Sequence, residues 1–111
     1  MPPPDTNYTV FKLRPGVPYY EGVKSLDGRR YKIEVRYVVD LDRWYLDLSS
    51  TADASVRILG LALLPGKELL GPYGYHNLLG QLWVVDTTGA GENPDYVGMG
   101  DRWELRYYPL A

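Results

Sequence analysis

From Leu26 to Ser49 the chain reads LDGRRYKIEVRYVVDLDRWYLDLS, with apolar and charged residues alternating through most of the stretch. A strand turns successive side chains to opposite faces, so a period of two predicts a β-hairpin. Tyr31, Ile33, Val35, Tyr37 and Val39 fall on one face, and Arg30, Lys32, Glu34 and Arg36 on the other. After the short connection Asp40-Leu41-Asp42-Arg43, Trp44, Leu46 and Leu48 continue the apolar face while Tyr45 and Asp47 continue the wet one.

The same pattern extends along the chain in shorter pieces. Tyr19 to Leu26 reads as a strand leading into Asp27-Gly28, a pair suited to the positive φ angles of a tight hairpin turn. Ahead of it, Tyr8 to Leu13 has the character of a short strand ended by Arg14-Pro15-Gly16. Residues 1–18 are read as a Pro-rich arm and residues 19–111 as a single β domain. Val56 to Leu64 is a further strand, apolar on both sides towards its end and so expected to be covered on both faces there. Pro65-Gly66 breaks it, and the turn-rich segment around Gly71–Tyr75 follows, with one helical turn expected at Asn77-Leu78-Leu79. Leu82 to Asp86 is a buried strand, and Arg102 to Tyr108 alternates again with Trp103, Leu105 and Tyr107 inward. No segment longer than a turn repeats at helical spacing. Six or seven short strands with spaced turns define an all-β chain, a small antiparallel β-sandwich or partly open β-barrel; the alternation does not choose between them.

At 111 residues the chain can bury roughly two-thirds of its unfolded surface without a covalent staple. It has no cysteine, which excludes disulfides, Cys-based zinc sites and thiol catalysis and fits folding in a reducing cytoplasm. No apolar run approaches the ~20 residues of a membrane-spanning helix, and MPPPD lacks the basic-then-apolar plan of a secretory signal. The net charge of −2 argues against general nucleic-acid binding. Charge is uneven, however: Lys24, Arg29, Arg30, Lys32 and Arg36 outnumber Asp27 and Glu34 between Lys24 and Arg36, whereas Thr87 to Asp101 carries Glu92, Asp95 and Asp101 with no Lys or Arg. With eleven Tyr, three Trp and one Phe, nearly every ring bears a polar atom. Such rings suit half-wet interfaces, and Tyr is equally at home in an ordinary strand.

The search for reactive groups yields no catalytic, cofactor-binding or metal-binding residues. The single histidine, His76, has no companions for a triad or a zinc centre. Asp40 and Asp42 sit in a turn, where Asp is favoured for its bonds to the backbone. The run Thr87-Thr88-Gly89-Ala90-Gly91-Glu92-Asn93-Pro94 follows a strand but lacks the Gly-Lys-Ser/Thr ending of a phosphate loop. A fifteen-residue stretch without periodicity, Thr87 to Asp101, is long for a plain connection. It is read as a partner contact that orders on assembly, so that removing Gly89–Gly100 should leave the fold intact. The interface residues expected are Tyr73, Tyr75, Glu92, Asp95 and Tyr96.

An ordered set of features gives a sharper expectation. Leu26-Asp27-Gly28 is followed by Tyr31-x-Ile33-x-Val35-x-Tyr37, Trp44-Tyr45-Leu46-Asp47-Leu48 and Leu64-Pro65-Gly66-x-x-Leu69-Leu70. Then come Gly80-x-Leu82-x-Val84-Val85-Asp86, Asp95-Tyr96-Val97-Gly98 and Leu105-x-Tyr107. In this order and spacing the chain from Tyr19 to Tyr108 resembles the baseplate plug family of contractile-tailed phages. The resemblance implies a non-enzymatic structural component of the virion, assembled in the host cytoplasm, with no cofactor. It would join or close the tail tube at the central hub and spike. Its partners would be other phage tail proteins (tube, hub, spike or wedge) and further copies of itself in a threefold or sixfold ring. Two other classes fit a small β protein. One is a carbohydrate- or ligand-binding β-sandwich using Tyr45, Tyr73 and Tyr75 as a flat platform. The other is a single-stranded nucleic-acid binder using the Arg29–Arg36 face, against which the pI of about 5.3 counts.

Overall fold

Asp27 and Gly28 hold φ angles of 52° and 79°, the positive values that let a two-residue turn follow the right-handed twist of its strands. They join two long strands of a computed structural model that describes residues 8–75 and 78–110. The strands are β1 (Thr9–Val10), β2 (Tyr19–Leu26), β3 (Arg29–Val38), β4 (Arg43–Ser50), β5 (Arg57–Ala62), β6 (Gln81–Asp86) and β7 (Trp103–Tyr108). The only helical turns among the described residues are short 3-10 turns at Val39–Leu41 and Gly71–Tyr73. Four strands form a meander in the order β2-β3-β4-β5, and three form a second sheet in the order β1-β7-β6. All strand pairings are antiparallel. The protein is therefore all-β, with two open sheets rather than a closed barrel.

One core lies between the sheets. Tyr31, Ile33 and Val35 from β3 and Trp44, Leu46 and Leu48 from β4 meet Leu82 and Val84 from β6 and Trp103, Leu105 and Tyr107 from β7. These are the inward positions that the alternation assigns. Burying such side chains contributes roughly 1.5–3 kcal/mol each before conformational entropy is subtracted. The sheets are also tied at one end. The Tyr107 hydroxyl donates to the Asp27 carboxylate in the β2–β3 turn, and Asp27 also accepts the Leu110 N–H.

Two positions depart from the alternation. Val39 is 77% exposed, because β3 ends at Val38 and the 3-10 turn, closed by Asp42 at φ 48°, rotates the chain out of the period of two. Leu59, in the first half of β5, is 58% exposed, whereas beyond it Leu61 and Leu63 are buried and Ala62 and Leu64 half-buried. This strand forms the sheet edge and carries a bulge in which Gly60 (φ 68°) donates its N–H to Asp47 at 2.7 Å. Leu61 and Leu63 beyond the bulge still point into the core.

The segment Tyr8–Leu13 adds β1 to β7, and the Phe11 N–H continues the ladder onto the Leu105 carbonyl at 2.9 Å. Phe11 is buried in the shared core. On the far side, β6 is covered by Pro65–Leu69: Leu69 N–H donates to Leu82 O, and the Glu68 carboxylate accepts Leu82 N–H at 2.8 Å in the place of a neighbouring strand. His76 and Asn77, and with them the first residue of the helical turn expected at 77–79, lie outside the described residues.

Candidate interaction surface

The acidic loop between β6 and β7 is held from both of its ends. Asp86 closes β6 with its carboxylate almost wholly buried, and Arg102 just before β7 grips it with two bonds, Nε and Nη2 each at 2.9 Å. The same carboxylate accepts the Thr88 N–H and hydroxyl and the Glu92 N–H. Arg102 also reaches the Glu92 carboxylate at 2.9 Å and lies over the Trp103 ring, 4.3 Å from its centre.

Further attachments fasten the middle of the loop. The Trp103 indole N–H donates to the Glu92 carbonyl and the Trp44 indole N–H to the Asp95 carbonyl, both at 2.8 Å. Asp95 accepts the Gly98 N–H at 2.6 Å. Tyr96 stacks on Trp44 with rings 9° apart, leans on Tyr37, and donates its hydroxyl to the Gly16 carbonyl at 2.8 Å. Met99 is fully buried. The loop is thus built into the isolated chain and does not depend on assembly for its order. Nor is Gly89–Gly100 dispensable, since deleting it would remove a core side chain and the acceptors of two indoles. Aperiodic loop sequence hides this because Trp44, Trp103 and the Gly16 carbonyl, which hold the loop, lie outside it.

The Asp86 carboxyl is held well below the usual carboxylate range, chiefly by its bonds to Arg102, with burial acting in the opposite direction. Its folded pKa is depressed, so the stability it contributes is present above the unfolded value of about 4 and is lost as pH falls below it. Asp86→Asn should weaken the fold at pH 7 and flatten the loss of stability between about pH 4 and pH 2. Denaturant melts of both proteins across that range provide the check, and parallel acid limbs would contradict this role.

The five expected interface residues fall into two groups. Glu92, Asp95 and Tyr96 share the β6–β7 loop beside Trp44, with Glu92 and Asp95 exposed and Tyr96 half-buried. Tyr73 is exposed at the end of the second 3-10 turn, and Tyr75 is half-buried with its hydroxyl on the Ser55 carbonyl and the Arg57 N–H, both at 3.3 Å. Arg57 pairs with Ser49, five residues along β4 from Trp44. That spacing puts roughly 17 Å of strand between the Tyr75 anchor and Trp44, so Tyr75 stands apart from the loop group. The sugar-binding arrangement is not formed either, since Tyr75 is engaged by the β5 backbone and only Tyr73 of the three rings is exposed.

The outer face of the four-stranded sheet is charged, and part of that charge is matched across the strands. Lys32 pairs with Glu21 and Glu34 at 3.2 and 3.4 Å, and Arg36 with Asp47 at 2.9 Å. Lys32 and Arg36 are therefore engaged across the strands. Among the described residues no three His, Cys, Asp or Glu side chains gather as metal ligands would, and no helix is long and apolar enough to cross a membrane. The Asp86–Arg102 clasp was not among the expected residues. Its signal is present all the same: opposite charges stand at the two ends of the one long aperiodic loop.

This arrangement defines a small β-sandwich whose loops are secured internally and whose surface offers contact area, a structural building block. Residues 9–109 match the family described as cyanophage baseplate Pam3 plug gp18. The chain belongs to this family of phage baseplate proteins, which places it among the structural components of the tail baseplate, in contact with other tail proteins. The match takes in β1, ahead of the span from Tyr19 to Tyr108 that carries the resemblance. No curated protein shows significant sequence similarity to the chain.

Proposed function

We propose that this protein is the plug on the axis of a contractile phage tail, joining or closing the tail tube where it meets the hub and spike. Identical copies form a threefold or sixfold ring, assembled in the host cytoplasm into the virion. The protein acts without catalysis. The observation that carries this reading is the family match over residues 9–109, nearly the whole folded chain. The architecture supports it: with one core shared by both sheets and the longest loop clasped by Asp86 and Arg102, each copy is a rigid unit. Closing a ring of such units leaves no open end at which further copies add.

Electron microscopy of purified tails tests the proposal. The expected result is density matching the two-sheet sandwich at the tube–hub junction, in three or six copies around the axis. Density away from the axis, or a single copy per tail, would overturn it.

A further inference from the structure

The two sheets have four outer edges, and three of them are blunted against further strands. β1 is two residues long, β5 is interrupted by the Gly60 bulge, and β6 is covered by Pro65–Leu69 and the Glu68 carboxylate. The fourth edge, β2, is different. All eight of its residues keep register with β3, and no described backbone group bonds to its outer side.

The direction of its free groups follows from one bond. The Tyr37 N–H donates to the Pro18 carbonyl, so residues in step with Pro18 (Tyr20, Gly22, Lys24 and Leu26) turn their backbone groups to β3. Tyr19, Glu21, Val23 and Ser25 therefore aim their N–H and C=O groups outward. All four are exposed, Tyr19 by 47% and Val23 by 50%.

A groove of about 570 Å³ opens against the same edge. Tyr19 and Glu21 from the outer face of β2 and Tyr20 from its inner face all line it, so it wraps the border of the sheet. Trp44, Leu13 and Val17 give it an apolar lining, and Lys12 and Arg14 line it as well. Neither cation has an ion-pair partner among the described residues, whereas Glu21, the one acid present, is held by Lys32.

We propose that β2 and this groove form a docking site for an extended segment of a different tail protein, which adds to the sheet as a further strand. The occupant pairs with the backbone of Tyr19, Glu21, Val23 and Ser25, sets an apolar side chain over Trp44 and Val17, and presents a carboxylate to Lys12 and Arg14. A second copy does not meet these requirements. The one acid that a self-paired β2 would bring is Glu21, which Lys32 already holds, and the backbone of the chain's own acidic loop is tied down by Asp86, Trp44 and Trp103. The inference rests on membership of the baseplate and is independent of position on the axis.

The test compares tails from phage carrying the wild-type protein, Val23→Pro, or the pair Lys12→Glu and Arg14→Glu. Proline at Val23 removes an outward N–H and none of the bonds to β3, so the isolated variant should keep the wild-type circular dichroism spectrum and melt cooperatively. The amount of the protein per tail, measured by mass spectrometry, should fall at least tenfold for both variants. In the wild type, hydrogen exchange at Tyr19, Glu21, Val23 and Ser25 should be fast in the free protein and slow in tails, a readout that holds even if Val23→Pro fails to fold. Wild-type incorporation of both folded variants, or unchanged exchange at the four amides, would overturn the proposal. So would a free protein whose sedimenting mass is halved by Val23→Pro, because the occupant would then be a second copy.

Discussion

Trp103→Ala should lower the unfolding free energy by about 3–5 kcal/mol, the range for deleting a large ring from a packed core. Trp103 opens β7 with 2% of its surface exposed and lies beneath the loop it helps to hold. Gly98 leaves room for the ring: a Cβ at that position would sit 2.2 Å from it. Arg102 covers the ring, and the indole N–H supplies a hydrogen bond to the Glu92 carbonyl. Alanine leaves a void under the loop and removes the surface on which Arg102 packs while clasping Asp86. A domain of this size is stable by about 5–15 kcal/mol, so the variant should be marginal, melting some 12–20 °C lower at roughly 4 °C per kcal/mol. Denaturant titration followed by circular dichroism measures the change. Trp103→Phe, which keeps most of the volume and loses the indole donor, should fall between wild type and alanine. A loss below 1 kcal/mol for alanine would show that the loop does not depend on this ring.

The second large effect is expected from a single added methyl group. Gly80, just ahead of β6, lies so close to the end of β7 that a Cβ would stand 1.9 Å from the Tyr108 carbonyl oxygen and 2.8 Å from the Pro109 carbonyl carbon. Both neighbours are backbone atoms, so no rotamer change relieves the clash. Gly80→Ala must pry β6 and β7 apart where the Gly80 N–H reaches the Tyr107 hydroxyl at 2.7 Å. That movement also disturbs the bond from Tyr107 to Asp27, which joins the sheets. The cost should reach the upper end of the 1–3 kcal/mol typical of overpacking, or exceed it. Gly89→Ala serves as a control. Its Cβ meets nothing within 4 Å, and its φ of 80° leaves only the backbone strain of about 1–2 kcal/mol. If the two variants melt alike, crowding at Gly80 is not what matters.

Membership of a baseplate family sets what these stability losses mean for function. A building block is replaced readily if its fold is intact and its contacts are kept, so variants in the core should reduce the yield of protein and variants at β2 should reduce its incorporation. Trp103→Ala and Val23→Pro separate the two, because the first acts through the loop clasp and the second leaves every described backbone bond in place.

The local code was legible in the residues alone. A period of two put Tyr31, Ile33, Val35, Trp44, Leu46, Leu48, Trp103, Leu105 and Tyr107 inward, and Asp27-Gly28 set the hairpin. Strand alternation and turn angles are governed by neighbours a few positions apart, so they can be read without knowing the fold. Two open sheets instead of a barrel, the exposure of Leu59 on an edge, and the fastening of the acidic loop were decided only by tertiary structure. The Trp44 indole meets the Asp95 carbonyl across 51 positions of chain, and the Tyr96 hydroxyl meets the Gly16 carbonyl across 80. Contacts of that span leave no periodic trace, and whether a strand such as β2 keeps a free edge depends on where every other strand has gone.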